Sequence, residues 1–63
     1  MKYKEWNRLY LRFMEIRQDH FYEIMLADIT DDDEDRTYHL QNAEGAVEMS
    51  AYIRVLLSEG VTE

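Results

Sequence analysis

A chain of 63 residues without cysteine or proline has room for one small domain and excludes both disulfides and thiolate metal sites. Its formal net charge of −7 and pI near 4.6 set the molecule as a whole against nucleic acid. No apolar run approaches the roughly 18 residues of a membrane span.

The start, Met1 to Trp6, lacks the apolar segment of a secretory signal, so cytoplasmic residence is the default expectation. A single core this small rarely supplies more than about 3–5 kcal/mol, and without disulfides the economical remedy is oligomerisation. The charge is unevenly divided. Residues 1–17 carry five basic side chains against Glu5 and Glu15, whereas residues 18–63 carry Arg36 and Arg54 against twelve acids.

The first element predicted is a helix over about 3–29. Trp6, Leu9, Tyr10, Phe13, Met14, Phe21, Ile24 and Met25 recur at the 3.6-residue period of an amphipathic helix, and no Gly or Pro interrupts them. Arg17 projects onto the middle of that apolar face. Leu11, Tyr22, Leu26 and Ile29 fall outside it, so the apolar surface is wider than one helix contact needs.

An acidic turn follows over about 28–33, within Asp28 to Arg36. Thr30 or Asp31 can serve as the N-cap of the next helix, its side-chain oxygen accepting a backbone N–H. Asp31 with Glu34 makes a relaxed capping box. Acids at 31–35 then lie in the first turn, where the positive end of the helix dipole favours them. A later start near Thr37, with 31–35 as open loop, is the alternative.

The second helix is expected over about 32–58, with a stripe of Ala43, Ala46, Met49, Ser50, Ile53, Leu56 and Leu57. Small residues, including Gly45, crowd its middle and would let another helix approach closely. Gly60 suits a residue just past the helix end, with Val61 folding back on Leu56 in a Schellman ending, while Thr62 and Glu63 should fray.

The fold class is therefore all-α: one domain, an antiparallel two-helix hairpin that pairs as a homodimeric four-helix bundle. Its expected core is Trp6, Leu9, Tyr10, Phe13, Met14, Phe21, Ile24 and Met25 with Ala46, Met49, Ile53, Leu56 and Leu57. In length, hairpin design and central acidic turn the layout resembles that of Rop-type plasmid RNA-binding proteins, which are dimeric hairpins. The resemblance is architectural, and architecture does not fix function.

Few residue groups carry chemistry. Asp31–Asp32–Asp33–Glu34–Asp35 opens like a calcium loop, but the position that needs Gly is Arg36 and the one that needs a bidentate Glu is Asn42. His20 and His39 can approach each other across the hairpin, yet arginine, not glutamate, stands three residues before each. Semi-buried packing histidines are expected, with no metal and no cofactor. Arg17 is expected to be a buried polar residue, lying level with Glu44 as an ion pair inside the bundle. There is no nucleophile elbow, phosphate-cradling glycine loop or dinucleotide fingerprint, so no enzyme is expected.

The interaction surface is expected at Lys4, Arg8, Arg12, Leu11, Tyr22 and Leu26. The leading function is a non-enzymatic hairpin that binds and modulates another protein, its partners being itself and that protein, with no membrane. One alternative is a Rop-like RNA-binding regulator using the basic end of helix 1. Another is an acidic mimic of DNA that inhibits a DNA-binding enzyme.

Overall fold

The computed structural model describes residues 1–62. Helix α1 runs Tyr3–Ile29 and helix α2 Asp33–Leu57, packed side by side as a hairpin. Neither is long and apolar enough to cross a membrane.

Thr30, Asp31 and Asp32 reverse the chain, and Thr30 and Asp32, both extended, divide the capping between them. Thr30 ends α1, and its carbonyl accepts from the Arg36 guanidinium at 2.9 Å. α1 has no basic residue in its own last turn, so Arg36, reaching back from α2, supplies the cation that the negative end of the dipole favours. The N-cap of α2 is Asp32, whose carboxylate accepts from the N–H groups of Glu34 (2.8 Å) and Asp35 (3.3 Å). The expected caps, Thr30 or Asp31 with Glu34, are thus corrected by one or two residues. Thr30 is occupied as the end of α1, with its hydroxyl accepting from Asp32 N–H at 3.4 Å. Asp33, Glu34 and Asp35 occupy the first turn, so α2 starts before Thr37.

The seam between the helices follows a spacing of alternately three and four residues. On α1 it is Trp6, Leu9, Phe13, Ile16, His20, Glu23 and Ala27; on α2, His39, Ala43, Ala46, Ser50, Ile53 and Leu57. This is the heptad rhythm by which two helices keep one line of side chains facing each other. Among the described residues only Ile16, Ala27, Ala43 and Ile53 are buried.

The seam is graded along its length. Near the open end it is built of large apolar groups, Trp6, Leu9, Phe13, Ile16, Ile53 and Leu57. Toward the turn it narrows to Ala27, Ala43 and Ala46 with His20, Glu23 and His39. The open end is fastened by Trp6, whose indole N–H donates to the Leu57 carbonyl at 3.0 Å. That carbonyl belongs to the last turn of α2, where carbonyls lack intrahelical donors.

Several expected core residues are exposed in the single chain. Phe21 (60% exposed), Met25 (51%) and Met49 (52%) stand in solvent, as do Tyr10 and Met14, while Ile16, absent from the expected stripe, is 5% exposed. The reason is rotational: the helix turns its 6-9-13-16 line inward, which leaves the neighbouring 10-14-21 line on a flank.

The chain ends also differ from expectation. Glu59 and Gly60 close the last turn by donating N–H groups to the carbonyls of Leu56 and Leu57, and Gly60 takes a φ of +76°. Glycine adopts that angle without the Cβ penalty. Ser58 is the cap residue, Gly60 lies past the helix end as expected, and Val61, expected to fold back on Leu56, remains about half exposed. Thr62 does not fray: its N–H donates to the Met1 carbonyl at 2.8 Å, and its hydroxyl accepts from the Met1 amino group at 2.6 Å. Glu63 lies outside the described residues.

Two stability measurements check this account. Asp32→Ala should cost about 1 kcal/mol in urea or thermal unfolding, while Asp31→Ala should stay within about 0.5 kcal/mol of the parent. At Gly45, which is exposed and where an added Cβ would meet nothing within 4 Å, Gly45→Ala should stabilise the hairpin by about 0.5–1 kcal/mol.

Candidate interaction faces

A pair of helices with one seam between them has two broad flanks. The Cα envelope measures 51 × 14 × 10 Å with a radius of gyration of 14.7 Å, against about 11 Å for a compact domain of this length. The molecule is therefore a thin slab, and most side chains beyond the seam meet solvent on a broad face.

One flank, here the Phe21 face, carries the α1 line Tyr10, Met14, Arg17, Phe21 and Ile24, residues three and four apart and so neighbours on one side of the helix. The matching line of α2 is Leu40, Glu44, Val47, Ala51 and Arg54. Where the two lines meet, a groove is lined by Phe13, Arg17, Val47, Ser50, Ala51, Arg54 and Val55.

Arg17 and Glu44 both stand on this face, exposed in the single chain, and no charged residue is buried among those described. The Arg17 guanidinium lies 5.8 Å from the centre of the Phe13 ring. A cation over an aromatic face is favourable while the charge stays hydrated. Among the described residues the ion pairs within 4.0 Å are Arg12–Glu15, Arg36–Asp33 and His39–Glu23, so the expected pair of Arg17 with Glu44 is not formed within the chain.

The opposite flank, the Tyr22 face, holds the residues expected to form the interaction surface. Lys4, Arg8, Leu11, Arg12, Tyr22 and Leu26 occupy one continuous arc of α1 turned away from the seam. Leu26 is half-buried and the other five are exposed. The arc is divided lengthwise, basic toward the chain ends and apolar toward the turn. Arg12 is engaged by Glu15 at 3.0 Å. α2 adds Tyr38, Met49 and Tyr52 on the same side, all of them exposed.

The two histidines act as cross-links. A backbone carbonyl can only accept, so His20 donates through Nδ1 to the Ala43 carbonyl at 3.1 Å. His39 Nδ1 lies 2.6 Å from Glu23 Oε2, with both side chains about four-fifths buried (23% and 22% exposed). Each bond joins α1 to α2 where the seam is too narrow for large apolar contacts, and each fixes the register. The sequence signals both histidines but not the Glu23 pairing, which needs the alignment of the two helices. No group of three or more metal-ligating side chains gathers among the described residues.

A double-mutant cycle on Glu23→Gln and His39→Ala tests the link. The coupling should be about 1 kcal/mol, and each single variant should loosen the turn half, seen as faster amide exchange around His20 and Ala43 than around Trp6 and Ile53.

No family model, no curated protein and no solved structure matches this chain.

Proposed function

We propose that the chain is a non-enzymatic binding protein: a helical hairpin that pairs with a second copy as a four-helix bundle and presents its remaining surface to another protein, whose activity it modulates. The observation that carries this reading is the placement of large apolar side chains on both broad faces of a slab whose Cα envelope is only 10 Å thick. Contiguous exposed apolar surface of this kind marks association sites. One face serves self-pairing and the other remains available.

The Tyr22 face suits a protein partner. Tyr22, Tyr38 and Tyr52 are large amphipathic rings held on rigid helices, and Tyr and Arg are the residue types that dominate binding energy at protein interfaces. Arg8 and Arg12, on the same side, provide charge at the rim.

The test is retention of protein from a native lysate of the source organism by the immobilised chain, compared with a Tyr22→Glu/Tyr52→Glu variant. The variant should lose the retained protein by at least about tenfold while keeping its helicity and oligomeric state. Unchanged retention would reject the Tyr22 face. Retained RNA that is released by modest salt would replace this reading with the RNA-binding one.

A further inference from the structure

We infer that the groove on the Phe21 face takes an acidic amphipathic helix of another protein, two of whose carboxylates meet Arg17 and Arg54. On this face such a helix excludes the second copy, so its binding dissolves the self-paired form. The exclusion rests on the self-pairing proposed above; the groove itself does not. Three observations carry the inference.

The first is the placement of the two arginines. The cross-helix bonds set Trp6 level with Leu57, His20 with Ala43 and Glu23 with His39. On that register Arg54 is level with Leu9, so Arg54 and Arg17 stand about 12 Å apart along the rod at 1.5 Å per residue. Both line the groove and both are exposed. Arg12 and Arg36 are held by Glu15 and Asp33, whereas neither Arg17 nor Arg54 has an ion-pair partner among the described residues. The Phe13 ring, 5.8 Å from the Arg17 guanidinium, positions that group and leaves its N–H edge for a carboxylate.

The second is what lies between them. Val47 and Val55 are exposed, Ala51 is small, and the Ser50 hydroxyl donates to the Val47 carbonyl at 2.9 Å. The floor is therefore largely apolar. Among the described residues no acid lines it, in a chain that carries 14 acids against 7 lysines and arginines. The groove encloses about 870 Å³. Over 12 Å of length that is roughly 70 Å² in section, the section of a helix about 10 Å across with its side chains. A single acyl chain is thinner and brings one carboxylate to two guanidiniums.

The third is the pattern that an occupant must carry. Residues i and i+7 of a helix share one face and lie about 10.5 Å apart, within reach of both arginine side chains. Residues i+3 and i+4, between them on that face, then meet the apolar floor. Neither helix of this chain has two acids at that spacing, and the nearest match, Glu15 with Glu23, is engaged by Arg12 and His39. The groove is thus matched by a different chain. Glu44 stands on the same flank level with Gln18–Asp19, just beyond Arg17, so the occupant carries no further acid toward the turn.

The probe is a synthetic amphipathic helical peptide with glutamates at i and i+7 and leucines at i+3 and i+4. Its binding to the whole chain is read by fluorescence anisotropy, and the oligomeric state by sedimentation. Arg17→Glu and Arg54→Glu should each weaken binding about tenfold, with helicity checked by circular dichroism. A peptide with lysines in place of both glutamates should bind the double variant to within about threefold of the parent pair, which a misfolded chain would not do. Saturating peptide should convert the parent dimer into a complex of one chain and one peptide. No binding at chain concentrations above and below the dimer midpoint would overturn the groove assignment, as would binding indifferent to both arginine changes. A long-chain fatty acid that binds through the same arginines where the peptide does not would overturn the helix as occupant. A parent chain that is monomeric throughout yet binds the peptide would remove the self-pairing and leave the groove standing. A dimer that persists with the peptide bound would overturn the exclusion alone.

Discussion

Two helices can touch along only one line, and the rest of this molecule follows from that constraint. A seam of side chains three and four residues apart closes Ile16, Ala27, Ala43 and Ile53 from solvent and half-covers its other members. Among the described residues no third layer covers the outer sides. Burial of apolar area is the main favourable term in folding, and a hairpin that buries so little of it is marginal by itself. The structure compensates with directional bonds wherever the seam is weakest.

Those bonds divide the hairpin into two halves. At the open end, bulk and a single indole hydrogen bond suffice, because Trp6, Leu9, Phe13, Ile53 and Leu57 are large. At the turn end the opposing residues are alanines, which bring the backbones close but offer little area. There His20 on the Ala43 carbonyl, Glu23 on His39, Arg36 on the Thr30 carbonyl and Asp32 on the first N–H groups of α2 take over. The two histidine bonds join α1 to α2 and are specific to one register, while Arg36 and Asp32 cap the helix ends at the turn. The acids of the turn are thereby explained as helix-starting groups at a dipole's positive end, without an ion.

The functional proposal has the same physical origin as the marginal core. Side chains that the seam cannot take, such as Tyr10, Met14 and Phe21 on one flank and Tyr22 and Tyr52 on the other, remain exposed, and the proposal uses them as association surface. The two flanks differ in chemistry. On α1 the Phe21 face is interrupted by Arg17 alone between Tyr10 and Ile24, whereas the Tyr22 face is basic toward the chain ends and apolar toward the turn. On the proposed reading, the first flank takes the second copy and the second flank a heterologous partner.

The sequence by itself determined the helices and the bend between them. The 3.6-residue period, the absence of proline and the run of acids able to cap a helix are local properties, settled within a few residues of chain. It also made plain that the apolar surface exceeds what one contact can absorb. Which line of that surface turns inward was a tertiary decision. A stripe wide enough to include both Phe13 and Phe21 permits several rotations about the helix axis. The one adopted buries Ile16, flanked by Glu15 and Arg17 and so easily passed over, while Met25 and Met49 stay outside. The same choice selected Asp32 over Asp31 as the cap, freed Arg17 from Glu44, and paired Glu23 with His39. Each depends on where one helix meets the other, and that is fixed only when both commit their side chains to a shared seam.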